Sequence, residues 1–191
     1  RLAAAGLPCA KRRGAAPAAD FSGTLRVDGE AIEIDAWRGS QNHNWGSRHT
    51  DAYSWGQVAG FDGAPDVFLE CASARLKIGP FRTPSMTLVV LRIGAREFAL
   101  NSLAQSVKTR AETGFFSLEI DARSKDVRIP ISVRAARADF AGLAYDTPPG
   151  GVTACLHTKL AHCDLTIDHR GQQPPTASPR PPTPCAAPPH T

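Results

Sequence analysis

The chain has 191 residues, 42% hydrophobic and 21% charged, the make-up of a single globular unit with a sizeable core rather than a disordered chain. No apolar run approaches the roughly 18 residues that a membrane-spanning helix needs. The net charge of +4 sits at the ends: Arg1, Lys11, Arg12 and Arg13 precede Asp20, Arg170 and Arg180 follow His169, neither stretch holds an acid, and residues 20–169 are left at −2. A body without a basic stripe excludes nucleic acid as the expected partner.

Residues 1–19 read as a basic, Ala-rich, low-complexity arm. The Arg start, with no apolar stretch of signal-peptide length, reads as a truncated N-terminus. That leaves the compartment open, with a cytoplasmic one favoured. From Asp20 the pattern becomes strand-like. Leu25 and Val27, then Ile32 and Ile34, flank Asp28-Gly29, a dipeptide that favours the positive φ angles of a tight hairpin turn. Further strands are expected at 52–61 (AYSWGQVAGF) and 66–78 (DVFLECASARLKI), turning at Asp62 to Pro65. Others are expected at 86–93 and 96–103 about Gly94-Ala95, and at 114–122 and 127–135 about Ser124-Lys125. After Pro148-Pro149-Gly150-Gly151, VTACLHTKLAHCDLTID reads as one long or bent strand. No segment sustains a 3.6-residue period over three turns.

About nine strands with short connections predict an all-β antiparallel meander, closed into a lipocalin-like (calycin) barrel or folded into a strongly curved sandwich so that its edges are hidden. Such a barrel is either filled by side chains or holds one apolar ligand. The β domain spans residues 20–169. Residues 170–191 hold eight of the chain's 16 prolines and read as a disordered or polyproline-like tail. The five cysteines, Cys9, Cys71, Cys155, Cys163 and Cys185, form no CxxC pair and are odd in number, so free thiols are expected rather than a disulfide framework.

Residues 37–61 gather all three tryptophans and two of the six histidines. Alternation puts Tyr53, Trp55, Gln57, Ala59 and Phe61 on one face of their strand, and this large-residue face is expected to point inward. Upstream, His43 and Trp45 share a face, with Asn44, Gln41 and Arg38 nearby. Two uses compete. Trp45 and Trp55 are core plugs with His43 a hydrogen-bonded core histidine, or the indoles wall a pocket that stabilises a developing carbocation while His43 orients water or shares a proton. A metal at His43 and His49 would need Asp51 or Glu70 as a third ligand and lacks HxH or HExxH spacing, so no metal is expected. No GxSxG elbow or glycine-rich phosphate loop is present, and no cofactor is expected.

In DVFLECASARL, Phe68, Glu70, Ala72, Ala74 and Leu76 share a face. If that face is the inner one, Glu70 is a lone carboxyl among apolar neighbours, and burial would keep it protonated and able to donate. The opposite face, Leu69, Cys71 and Ser73, is also apolar enough to be the inner one, which would leave Glu70 solvated.

The stretch GSQNHNWGSRHTDAYSWGQVAGFDG, with its H-x-W-G followed by Y-x-W-G and a glycine turn, resembles the lipocalin-like carotenoid 1,2-hydratases (hydroxyneurosporene synthases) and the related AttH-type and Diels–Alderase proteins. The resemblance covers about residues 20–169 and is densest at 41–61. It implies a calycin barrel, a pocket for a long apolar or polyene-like substrate, and cofactor-independent hydration through a tertiary carbocation. It also implies two lipocalin-like halves, of which this chain would be the C-terminal one. Of the family's H-x-W and Tyr-x-Asp pairs, His43 and Trp45 match the first. Phe68 and Glu70 stand where the second falls, without the phenol. The expected partner is therefore a hydrophobic small molecule, with membrane-surface contact as a route for acquiring it. Glu70, His43 and Trp45 are the expected catalytic residues, and Tyr53, Trp55, Gln57, Phe68 and Asn44 the ligand contacts. Hydration, cyclisation or isomerisation is the expected chemistry, and a non-catalytic carrier the alternative.

Overall fold

The structure is a computed structural model that describes residues 11–45, 50, 52–78, 80–146 and 150–169. The chain opens with a long antiparallel hairpin, β1 (Lys11–Val27) and β2 (Glu30–Trp45). It turns at Asp28 and Gly29, with φ of 51° and 90°, the paired positive values of a two-residue turn whose twist suits the strands it joins. Pairing runs from Val27 opposite Glu30 to Lys11 opposite Trp45, so strand geometry extends into the basic segment. The rest of the arm, residues 1–10, and the proline-rich residues 170–191 lie outside the described residues.

Two sheets follow. The first is a meander of β3 (Ala52–Phe61), β4 (Ala64–Arg75), β7 (Met86–Ile93) and β8 (Arg96–Leu100), interrupted by a small ribbon of β5 (Lys77–Ile78) and β6 (Phe81–Arg82). The second orders β14 (His162–Leu165), β11 (Val127–Arg134), β10 (Ser117–Arg123) and β9 (Arg110–Thr113), with β15 (Asp168–His169) also on β11. A separate hairpin, β12 (Ala141–Asp146) and β13 (Val152–His157), leaves the second sheet and returns to it.

Between the sheets lies one continuous apolar core. Leu69 and Cys71 of β4, Val89 and Leu91 of β7 and Leu100 of β8 pack with Leu118, Ile120 and Ala122 of β10, Ile129 and Ile131 of β11, and Cys163 and Leu165 of β14. Alternation along each strand produces this. Leu118, Ile120 and Ala122 face in, and Ser117, Glu119 and Arg123 face solvent. The fold is all-β and antiparallel, a curved sandwich; the described strands form no closed barrel.

Four local expectations are corrected. The strand expected at 96–103 stops at Leu100, because Ser102 and Gln105 form a capping box that starts the six-residue helix α1 (Leu103–Lys108). The strand expected at 114–122 starts at Ser117, and the short strands β9 and β12 were not expected. The segment after Gly151 is neither one strand nor a bent one but three pieces, β13, β14 and β15, pairing with two different partners.

Candidate functional site

In β3, Gly56 and Val58 face the core. A Cβ at Gly56 would come within 3.2 Å of the Cys71 sulfur, so a larger residue there would press on the core. Gly60 then adopts φ +98°, and the β3–β4 register shifts between Ala59 and Phe61. This bulge swings Phe61 into the core at 7% exposure, while Tyr53, Trp55 and Gln57 stay on the opposite, outer face. The expectation that all five alternating residues share the interior is thus corrected at Gly60, where a positive φ coincides with two extra residues on β4 in the ladder.

The same face of β4 carries Phe68 and Glu70. Leu69, Cys71 and Ser73 are the core residues, so Glu70 does not sit inside the sandwich. It is half-buried on the outer face, opposite Gln57 in the ladder. The indole Nε1–H of Trp55 donates to Glu70 Oε1 at 3.0 Å, the diagonal contact that a large side chain makes across an antiparallel pair. Phe68 is buried, with the Arg92 guanidinium 5.7 Å from its ring centroid. Tyr53, half exposed, sits beside Cys155 and Tyr145 of the β12–β13 hairpin; its hydroxyl pKa is pushed up by burial first and by Cys155 and Tyr145 next.

Strand β2 crosses the end of this face. Ser40 Oγ donates to Gln57 Oε1 at 2.6 Å, and Asn42 Nδ2 donates to Ser40 Oγ at 3.0 Å. The remaining amide atoms, Asn42 Oδ1 and Gln57 Nε2, are buried without a hydrogen-bond partner. An acceptor and a donor left unsatisfied at one spot are costly in a folded protein and suit a polar group of a ligand or a water.

Two exposed aromatic rings (Tyr53, Trp55), a carboxyl (Glu70) and an amide pair (Asn42, Gln57) are therefore brought together, on the face that also carries the buried Phe68. His43 is not shown to join them. It is exposed on β2, at a position alternating with Ser40 and Asn42. Asn44 and Trp45 occupy the following positions of the strand, with side chains outside the described residues, as are His49 and Asp51. Sequence reasoning missed Ser40, Asn42 and Tyr145. The first two were legible as alternating small polar residues leading up to the tryptophan-rich stretch.

A concavity of about 520 Å³ lies on the solvent face of the second sheet, lined in part by Arg110, Glu112, Glu119, Asp121, Ser132 and Asp164. It is a ladder of ion pairs and hydrogen bonds. Asp121 holds Arg123 and Arg128, Arg134 pairs with Asp164, and Ser132 donates to Glu119 at 2.7 Å. The core separates it from the aromatic face.

Residues 16–179 match the family model described as tocopherol cyclase-like. Two uncharacterized proteins of Mycobacterium tuberculosis, from the strains CDC 1551 and H37Rv, are each 27% identical over 155 residues, which is 81% of this chain and 46% of the relative. The chain thus spans about half the length of these curated relatives. No solved structure matches it. The lipocalin-like relationship expected from the H-x-W-G stretch is supported at this level, and nothing in the matches singles out the carotenoid hydratases.

Proposed function

We propose a function from one premise: the chain belongs to the tocopherol cyclase-like family. The outer face of β3 and β4 binds a hydrophobic, prenyl-bearing small molecule, and Glu70 delivers a proton to one of its double bonds. The observation that carries this reading is the Trp55–Glu70 hydrogen bond on an aromatic, half-covered surface. In its protonated form Glu70 adds its proton to one alkene carbon, and the positive charge is left on the more substituted neighbour. The Trp55 ring stabilises that cation. A hydroxyl of the ligand itself, or water, attacks the cationic carbon and loses a proton, which returns to Glu70. The net result is ring closure or hydration, balanced without a redox cofactor.

Gln57 and Asn42 supply the orienting contacts, through the two amide atoms that the protein leaves unsatisfied. Asn44 and Trp45, on the strand that crosses this face, belong to the proposal as wall residues. In the carrier reading the same face binds the ligand and Glu70 only shapes it.

Incubation of the chain with a prenylated hydroquinone, with product followed by mass spectrometry, separates the two. Catalysis predicts a cyclised or hydrated product from the wild type and at least about a hundredfold less from Glu70→Gln, the scale of a lost general acid. Equal product from both proteins, or binding by both without product, removes the acid role.

A further inference from the structure

We propose, on the premise that the outer face of β3 and β4 is the ligand face, that the ligand's apolar tail lies in a trough over Ala72 and Ala74. Its polar head is then held at Asn42 and Gln57. Alternation along the strands builds the trough. Thr87, Val89 and Leu91 of β7 are buried, so Met86, Leu88 and Val90 take the outer face, with Glu70, Ala72 and Ala74 of β4. The ladder then sets two rows across three strands. Tyr53 stands opposite Ala74 and Ala74 opposite Met86; Trp55 stands opposite Ala72 and Ala72 opposite Leu88. Each row is a methyl between two large side chains. Neighbouring strands lie about 4.8 Å apart, so the walls rise from backbones about 10 Å from each other, over a floor of alanine.

One end of the trough is closed and the other open. Phe68, the next residue of that face beyond Glu70, is buried, and β2 crosses there through the Ser40–Gln57 hydrogen bond. The Trp55 indole, bonded to Glu70, marks the inner end. Toward Ala74 the cover ends: Trp55 is 36%, Leu88 41% and Tyr53 50% exposed. Neither row contains a charged residue. Contiguous apolar surface of this kind marks a binding groove.

The closed end identifies the occupant of the open one. Asn42 Oδ1 lacks a donor and Gln57 Nε2 lacks an acceptor, and both atoms are buried. A single hydroxyl meets both needs, donating to the first and accepting from the second, whereas a carboxylate or an ether has no proton for Asn42. The occupant is therefore a slender amphiphile with a hydroxyl head and an apolar tail. It lies head-in, from Asn42 and Gln57 past Glu70 and out over Ala72 and Ala74. A second protein surface is too broad to reach the two buried atoms.

Equilibrium dialysis of the full chain against prenyl alcohols that differ only in the number of isoprene units reads the tail. Affinity is expected to rise at least about tenfold with each unit that the trough covers. The methyl ether of each alcohol is expected to bind more weakly than the alcohol. Ala74→Phe fills the outer row and Ala72→Phe the inner one, each with a residue that strands favour, on the face away from the core. Both should abolish the gain from the longer alcohols, and Ala74→Phe should still bind the shortest one like the wild type, which a misfolded chain would not do. Ala154→Phe, on the exposed side of β13, should leave the series unchanged. Affinity independent of tail length, a length dependence that survives both phenylalanine variants, or ethers that bind like the alcohols would overturn the proposal and leave the ligand face standing. Binding of no member of the series would overturn the ligand face and the trough with it. A ligand-free dimer in sedimentation velocity that Leu88→Lys dissolves would give the trough to a second copy instead.

Discussion

Trp55 and Glu70 are joined by a 3.0 Å hydrogen bond running diagonally across β3 and β4, on the face of the sheet that points away from the core. The contact fixes the indole against the carboxyl and sets the edge of the aromatic surface. Trp55→Phe keeps the ring and removes the donor. It should lower stability by about 1 kcal/mol, the usual net worth of one such bond, and the loss should vanish in a Glu70→Ala background, which has no acceptor. Urea unfolding of the four proteins of that cycle measures it; additive losses would mean that the two side chains do not interact.

Gly60 decides which aromatics reach the core. At φ +98°, and with a Cβ that would meet the Pro65 carbonyl oxygen at 3.3 Å, Gly60→Ala should cost about 1–3 kcal/mol. Phe61 should become more exposed. A neutral substitution in thermal unfolding would show that the bulge is not needed.

The sheet–sheet core should behave as one packed unit. Leu91→Ala and Ile129→Ala, from facing sheets, each remove a fully buried side chain. Each should destabilise by about 2–5 kcal/mol in denaturant titration. A loss below about 1 kcal/mol at either site would contradict the sandwich interface.

Asp121 sets an acid limit. Hydrogen bonds from Arg123 and then Arg128 hold its carboxyl well below the ordinary value of about 3.8. A depressed folded value means that its contribution is fully present above 3.8 and is lost as pH falls below that value toward the folded one. Asp121→Asn should therefore lower the unfolding midpoint at neutral pH and converge with the wild type in strong acid. Parallel curves across the acid range would refute the assignment.

Burial pushes the thiols of Cys71 and Cys163 up to about 12. In mildly alkaline solution the native chain should therefore label at Cys155 well before either. Site-resolved mass spectrometry after brief alkylation reads the order, and equal rates would show that the core opens freely.

Much of this was legible before the coordinates. The Asp28-Gly29 hairpin follows from a dipeptide suited to paired positive φ between two alternating apolar runs, and β3 and β7 fall on the expected residues 52–61 and 86–93. The choice of face for β3 and β4 was not legible. Both faces of each strand are partly apolar, so period-two alternation assigns partners without assigning an inside, and the bulge at Gly60 changes parity partway along. Only the second sheet, packing on Leu69 and Cys71, settles that Glu70 faces outward. The split of the C-terminal segment was hidden for a similar reason, because which strand it pairs with depends on contacts distant in sequence.

The indole N–H resonances of the three tryptophans, assigned with single Trp→Phe variants, give the sharpest view of the ligand face. On titration with a long-chain prenyl alcohol, the Trp55 signal should shift or broaden saturably, the Trp37 signal on the hairpin should stay in place, and Glu70→Gln should alter the Trp55 response. An unmoved Trp55 signal, or a response confined to Trp37, would contradict ligand binding on the outer face of β3 and β4.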